Sequence, residues 1–139
     1  MSNQEKFEGF KQSLIDENEQ KYGAVVRGKY GDGVVDASNA HIKGLTQAQY
    51  DESVRLSAGL EEALKAALET GDPAGEEAQH ACDLHRQWLC VMYPKYSKEY
   101  HKELAEMYVA DERFAAHYDK IAPGCAVFLR DAINIYSRE

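Results

Sequence analysis

Apolar residues recur at three- and four-residue intervals along most of the chain, and nowhere do they alternate with polar ones over four or more positions. This is the signature of amphipathic helices without strands. From Gln4 to about Lys21, Phe7, Phe10 and Leu14 follow helical spacing ahead of the acidic cluster Asp16, Glu17 and Glu19. So few anchors predict a short helix whose stability comes from docking. Between Tyr22 and Asn39 the residues Val25, Val26, Tyr30, Val34 and Val35 keep the period, while Gly23, Gly28, Gly31 and Gly33 weaken it. A glycine-weakened helix or two short ones fit that pattern. Thr46 and Gln49 form a capping-box pair, and Tyr50, Val54, Leu56, Leu60, Leu64, Ala67 and Leu68 carry the next helix to Glu69.

Gly71 stops that helix, and Asp72 with Pro73 is the expected start of another running to about Met92, with the stripe Ala78, Ala81, Cys82, His85, Leu89 and Met92. Pro94 breaks the chain and Ser97 caps a helix on which Tyr100, Leu104, Met107 and Tyr108 share one stripe, flanked by His101 and Ala105. Asp111 caps a helix bearing Phe114, Tyr118 and Ile121. Pro123 and Gly124 interrupt, and Cys125, Phe128, Leu129, Ala132, Ile133 and Tyr136 mark the last helix. The expected fold is a compact all-α bundle of six or seven short helices in one domain spanning 1–139.

Composition narrows what such a bundle can do. The 139 residues carry 16 Lys and Arg against 24 Asp and Glu, a net charge of −8, which argues against nucleic acid or an anionic membrane as partner. No apolar run reaches membrane-spanning length and residues 1–9 include Glu5, Lys6 and Glu8, so a cytoplasmic protein is expected. Three cysteines without a close-spaced pair point away from disulfides and structural zinc, and toward buried, inert thiols.

Candidate chemistry is sparse. His80 and His85 point about 140° apart on a helix, no HExxH is present, and His101 and His117 meet only if the fold brings them together. His85 reads first as a core histidine, and no nucleophile, general-base pair or metal set stands out. The glycines of residues 23–33 lack the Gly-Lys-Ser/Thr ending of a phosphate loop. What remains is an aromatic C-terminal half, which residue patterning leaves open between core and pocket.

The words of the sequence go further. HRQW at 85–88, YHKELAEMYVADERF at 100–114 and YDKIAPGCAVFLRDAI at 118–133, with KYGDGVVDASNAHIKGLTQAQY at 29–50, resemble the TipAS family. This is the antibiotic-recognition domain of MerR-type transcription regulators induced by thiopeptides. The resemblance implies a globin-like helical fold that takes large, mostly apolar antibiotics into a cleft, without haem, cofactor or catalysis. It also implies N-terminal helices, here within residues 1–45, that are loosely ordered until ligand arrives. The candidate pocket is Tyr30, His85, Trp88, Tyr93, Tyr96, Tyr100, His101, Leu104, Met107, Tyr108 and Phe114, with Glu103 as its distinguishing position.

Thiostrepton-responsive members place a reactive cysteine two positions after the histidine matching His101, where this chain has Glu103. Another cysteine of those members, five positions before that histidine, corresponds to Tyr96. Reversible capture is the resulting expectation. The chain carries no winged helix-turn-helix, so it would act as the effector part of a longer regulator or as a free-standing drug-sequestering protein. Two other classes compete: a helical protein-interaction module docking through its N-terminal helix, and a haem or metal sensor using His85, His101 and His117.

Overall fold

The computed structural model describes residues 2–138, which form seven helices: α1 (Asn3–Tyr30), α2 (Asp32–Lys43), α3 (Gln47–Thr70), α4 (Glu76–Met92), α5 (Lys98–Ala110), α6 (Glu112–Asp119) and α7 (Cys125–Tyr136). The fold is all-α, and no strand occurs among the described residues. Helices α3 and α4 form a tightly packed hairpin, and α7 packs against α3, α4, α5 and α6. The stripes on these helices are the main core: Leu64, Ala67, Ala81, Cys82, Cys125 and Leu129 have no measurable exposure. Burying a leucine side chain this fully stabilises the fold by about 1.5–3 kcal/mol before cavity effects are counted.

The capping chemistry follows from the side chains at the helix starts. Thr46 and Gln49 make both hydrogen bonds of the capping box, Ser97 accepts from the Tyr100 N–H, and Asp111 accepts from the Arg113 N–H. Gly71 ends α3 in the left-handed conformation, with φ of 69°.

Four expectations are corrected. The first concerns α1, a single 28-residue helix that makes the bundle less uniformly short than expected. Its internal glycines weaken the helix without breaking it. The chain turns instead at Gly31, where φ 89° and ψ 158° place the backbone in a region essentially reserved for glycine. The second concerns α4, which begins at Glu76 after a Gly75 cap. Asp72 is occupied in the preceding turn, where its carboxylate accepts from the Ala74 N–H and its carbonyl from the Gly75 N–H.

The third is that Cys90 is exposed; Cys82 and Cys125 are buried, and burial pushes their thiols up to about 12 and about 11. The fourth is that Phe10 and Val54 face outward. The buried line of α1 is Phe7, Lys11 and Ile15, at spacing four, with Phe10 leaning edge-on against Tyr50. Lys11 is 2% exposed yet fully paired: its ammonium donates to the carbonyls of Lys43 at 2.5 Å and Leu45 at 2.8 Å and meets Glu8 at 3.1 Å. Its alkyl stem fills the apolar line while its charge ties α1 to the end of α2.

Helices α1 and α2 thus form an arm packed on each other. A small cluster of Ile15, Ile42, Leu45 and Met92 joins them to α4. His41 Nε2–H adds a hydrogen bond to the Val91 carbonyl at 2.8 Å. Further along, the arm touches α5 and α6 only through a few side chains, and a cleft opens between them.

Candidate functional site

The cleft has a volume of about 290 Å³ and lies between the arm and helices α4, α5 and α6. Its walls are a chain of aromatic rings. Tyr22 stacks on Phe114 with centroids 4.1 Å apart, Tyr30 meets Tyr100 edge-on at 5.6 Å, Tyr100 meets Tyr93 at 6.2 Å, and Tyr93 meets Trp88 at 5.9 Å. Leu104, Met107 and Tyr108 complete the α5 wall; Met107 and Tyr108 follow Leu104 by three and four positions, which puts them on one face. Aliphatic and thioether side chains among offset rings make an apolar, adaptable surface.

Polar groups are few and lie mostly on the arm. Glu19 faces the cleft, where its carboxylate pairs with Arg27 and accepts from Asn39 Nδ2 at 2.9 Å. Arg27 also reaches Asp32 and Asp36, both at 2.9 Å, so one guanidinium knits the α1–α2 junction together. The Arg27 hydrogen bond holds the Glu19 carboxyl below its ordinary value. The Tyr30 hydroxyl is different: it is buried at the cleft wall with no hydrogen-bond partner in the protein. Burial, with the Glu103 carboxylate nearby, pushes it up to about 12, so it is a neutral phenol with a proton to donate.

Of the residues singled out from sequence, Tyr30, Trp88, Tyr93, Tyr100, Leu104, Met107, Tyr108 and Phe114 line this cleft. His85, Tyr96, His101 and Glu103 do not. Glu103 is exposed on α5 beside the cleft mouth, where its backbone carbonyl accepts from Lys29 Nζ at 3.2 Å. His85 and His101 have no measurable exposure and lie behind the α5 wall.

The two imidazoles face each other, with His85 Nδ1 2.8 Å from His101 Nε2. On one side His101 Nδ1 is 2.8 Å from the Tyr96 hydroxyl; on the other His85 Nε2 is 3.3 Å from the Tyr108 and 3.4 Å from the Tyr118 hydroxyl. All four ring nitrogens are therefore engaged within the protein, leaving none directed at a haem iron. Burial drives both imidazole pKa values down, His101 to about 4, and the Arg86 charge adds to the effect there.

Sequence reasoning took only Tyr30 from the arm and missed the rest of its share of the lining: Asn18, Tyr22 and Val26 on α1, and Val35, Asn39 and Ile42 on α2. The signal was present, since 18, 22, 26 and 30 repeat every four residues along one helix face. It was obscured by the acidic cluster beside it and by the expected break near Gly23. That glycine lies where an added Cβ would come within 2.3 Å of the Glu19 carboxylate.

The TipAS antibiotic-recognition domain family model matches residues 22–136. Residues of the chain are 42% identical over 69 positions to the HTH-type transcriptional activator TipA of Streptomyces coelicolor and, at the same identity, of Streptomyces lividans, covering 49% of this chain and 27% of each relative. The HTH-type transcriptional activator mta of Bacillus subtilis is 26% identical over 136 residues, 98% of this chain and 52% of that protein. The chain thus spans about a quarter to a half of the length of these relatives. No solved structure matches it. Among the described residues no helix is long and apolar enough to cross a membrane. With 115 consecutive positions matched, the cleft-forming helices among them, the chain belongs to the TipAS antibiotic-recognition domain family.

Proposed function

We propose that this chain binds large hydrophobic antibiotics, of thiopeptide or other macrocyclic type, reversibly and without catalysing a reaction. The observation that carries this reading is the aromatic-walled cleft under the α1–α2 arm, with the orphan Tyr30 hydroxyl in its wall. Apolar rings supply contact area and a few placed polar groups fix orientation, which is the usual composition of a small-molecule site. A ligand acceptor, such as an amide carbonyl or an azole nitrogen, would satisfy the Tyr30 proton that folding leaves unpaired. A macrocycle exceeding 290 Å³ would be seated by displacement of the arm, whose links to α5 and α6 are single side chains.

In this reading the domain acts in the cytoplasm, either as the effector part of a regulator with an attached DNA-binding domain or alone as a drug-sequestering protein. Reversibility follows from Glu103, because a carboxylate does not add to a dehydroamino acid as a thiolate does. Titration with a panel of thiopeptides and other hydrophobic macrocycles, followed by Trp88 fluorescence and far-UV circular dichroism, is expected to give saturable changes that dilution reverses. Intact-mass spectrometry should find no adduct on the native chain and a one-drug adduct on Glu103→Cys, by addition of the thiol S–H across the dehydroalanine double bond. No saturable response across the panel would overturn the reading.

A further inference from the structure

The four hydrogen bonds joining Tyr96, His101, His85 and the phenols of Tyr108 and Tyr118 cross the core from a half-buried surface tyrosine to the cleft. Tyr108 and Tyr118 both line the cleft, and Tyr118, with Trp88 and His117, also lines a side chamber of about 50 Å³ that His85 reaches. A neutral imidazole carries one N–H and one bare nitrogen. The direct bond between the rings therefore forces them into the same tautomer.

Two arrangements result. With both rings protonated at Nε2, Tyr96 donates to His101, His101 to His85, and His85 to a phenol oxygen. With both protonated at Nδ1 every bond reverses: a phenol donates to His85, His85 to His101, and His101 to the Tyr96 oxygen.

The arrangements differ by one donor at the cleft. When His85 Nε2–H donates, two phenol protons remain; one can bond to the neighbouring phenol and the other is free. When His85 Nε2 accepts, one phenol proton is used there, the second bonds phenol to phenol, and none is left over. A stranded hydroxyl proton against an apolar surface is costly, whereas one that meets an acceptor is stabilising.

We propose that the His85–His101 pair is a tautomeric relay that sets the hydrogen-bond polarity of the cleft, so that ligands bearing a carbonyl or azole-nitrogen acceptor select the Nε2–H form and purely apolar ligands the Nδ1–H form. This rests on the reading of the cleft as the ligand site. Passage from the Nδ1–H to the Nε2–H form moves one proton along each link toward Tyr96. There the original Tyr96 proton leaves to water, while water in the cleft re-protonates the phenol that gave up its own. The protein's charge is unchanged, and the Tyr96 hydroxyl turns from acceptor to donor toward His101. His85 and His101 are thus positioning residues for ligand specificity, and Tyr96 reports occupancy on the opposite face.

Naphthalene and quinoline test this, having the same shape and differing by one ring nitrogen. Two-bond proton–nitrogen spectra of protein labelled with nitrogen-15 in histidine identify each tautomer. Expected are two neutral rings with a shared tautomer in the free protein, Nδ1–H in both rings with saturating naphthalene, and Nε2–H in both with quinoline. Replacing both cleft hydroxyls, Tyr108→Phe with Tyr118→Phe, is expected to lower the quinoline-to-naphthalene affinity ratio about fivefold, the size of one neutral hydrogen bond. Unlike tautomers, an imidazolium in the free protein, or identical spectra with the two probes would overturn the relay. If Trp88 fluorescence shows that neither probe binds, ligand selection is overturned with the cleft reading, and the free-protein spectrum still decides the relay itself.

Discussion

At the scale of single residues, the least expected groups are three polar side chains sunk in apolar surroundings: Lys11, His85 and His101. Each is tolerated because every polar atom it buries finds a partner, so the desolvation cost is offset locally. For the histidines this has a consequence in pH. Both are held neutral by burial, below their ordinary value near 6.5, while in the unfolded chain they titrate normally. Above that value neither state binds the protons and stability is at its maximum. As pH falls through 6.5 toward 4, the unfolded state takes up protons that the folded state refuses, and stability is lost. Between about pH 7 and about pH 5.5 the loss should be about 1 kcal/mol per ring and about 2 kcal/mol for the pair. Carboxylates stay largely ionised across this window, and His117, which burial also holds below its ordinary value, adds a loss of the same sign, so urea unfolding at the two ends, compared between the native chain and His117→Gln, reads the contribution of the pair. A midpoint independent of pH would mean that the rings are charged in the fold.

At the scale of helices, the junction between α1 and α2 is the point where a small change has the largest leverage. Gly31 alone among the glycines of residues 23–33 has a positive φ, and its ψ of 158° excludes side-chain-bearing residues without strain. Gly31→Ala is therefore expected to destabilise the arm by about 1–3 kcal/mol. Gly28→Ala, inside α1 with open space around the added methyl, should instead stabilise by about 0.5–1 kcal/mol. Thermal unfolding of the two variants, with opposite signs of shift, checks the assignment of the hinge.

The same helix shows what sequence can and cannot convey. Helices α3, α5 and α6 were legible because an apolar stripe and a capping side chain agreed at each of them, Thr46 with Gln49, Ser97 and Asp111, and α7 because its stripe begins directly after the interruption at Gly124. Helix α1 was legible as helical but not as one continuous helix, because its glycines suggest interruptions and its buried anchor Lys11 is a polar residue in the apolar line, which makes sense only once its tertiary partners are known. The start of α4 was misplaced because Asp72 and Pro73 serve a turn equally well. For the cleft, the α5 wall was legible as a stripe, whereas the contact between His85 and His101, on different helices, depends on the docking of α4 against α5.

At the scale of the molecule, the two parts are unequally held. Helices α3 to α7 share one large core, whereas the arm is joined to them by the four-residue cluster of Ile15, Ile42, Leu45 and Met92, by the partly buried Val25, Val26 and Tyr30 at the edge of that core, by Phe7 and Phe10 against Tyr50, and by individual bonds. Those bonds are His41 to the Val91 carbonyl, Lys29 to the Glu103 carbonyl and Arg113 to the Lys21 carbonyl, with the Tyr22–Phe114 stack. Apolar burial sets most of the free energy of local opening, so the arm should open at lower cost than the body. Amide hydrogen exchange is expected to be faster around Val26 and Val35 than around Leu89 and Leu129 in the free protein. A ligand seated in the cleft as proposed would bridge the displaced arm and the body, and it should slow exchange selectively in the arm. A thiopeptide at a hundred times its dissociation constant should add about 2.7 kcal/mol to arm opening, while body amides limited by faster local motions change less. Equal protection of arm and body before ligand, or a ligand effect confined to the body, would place the drug outside the cleft and leave the α1–α2 hairpin as a fixed part of the bundle.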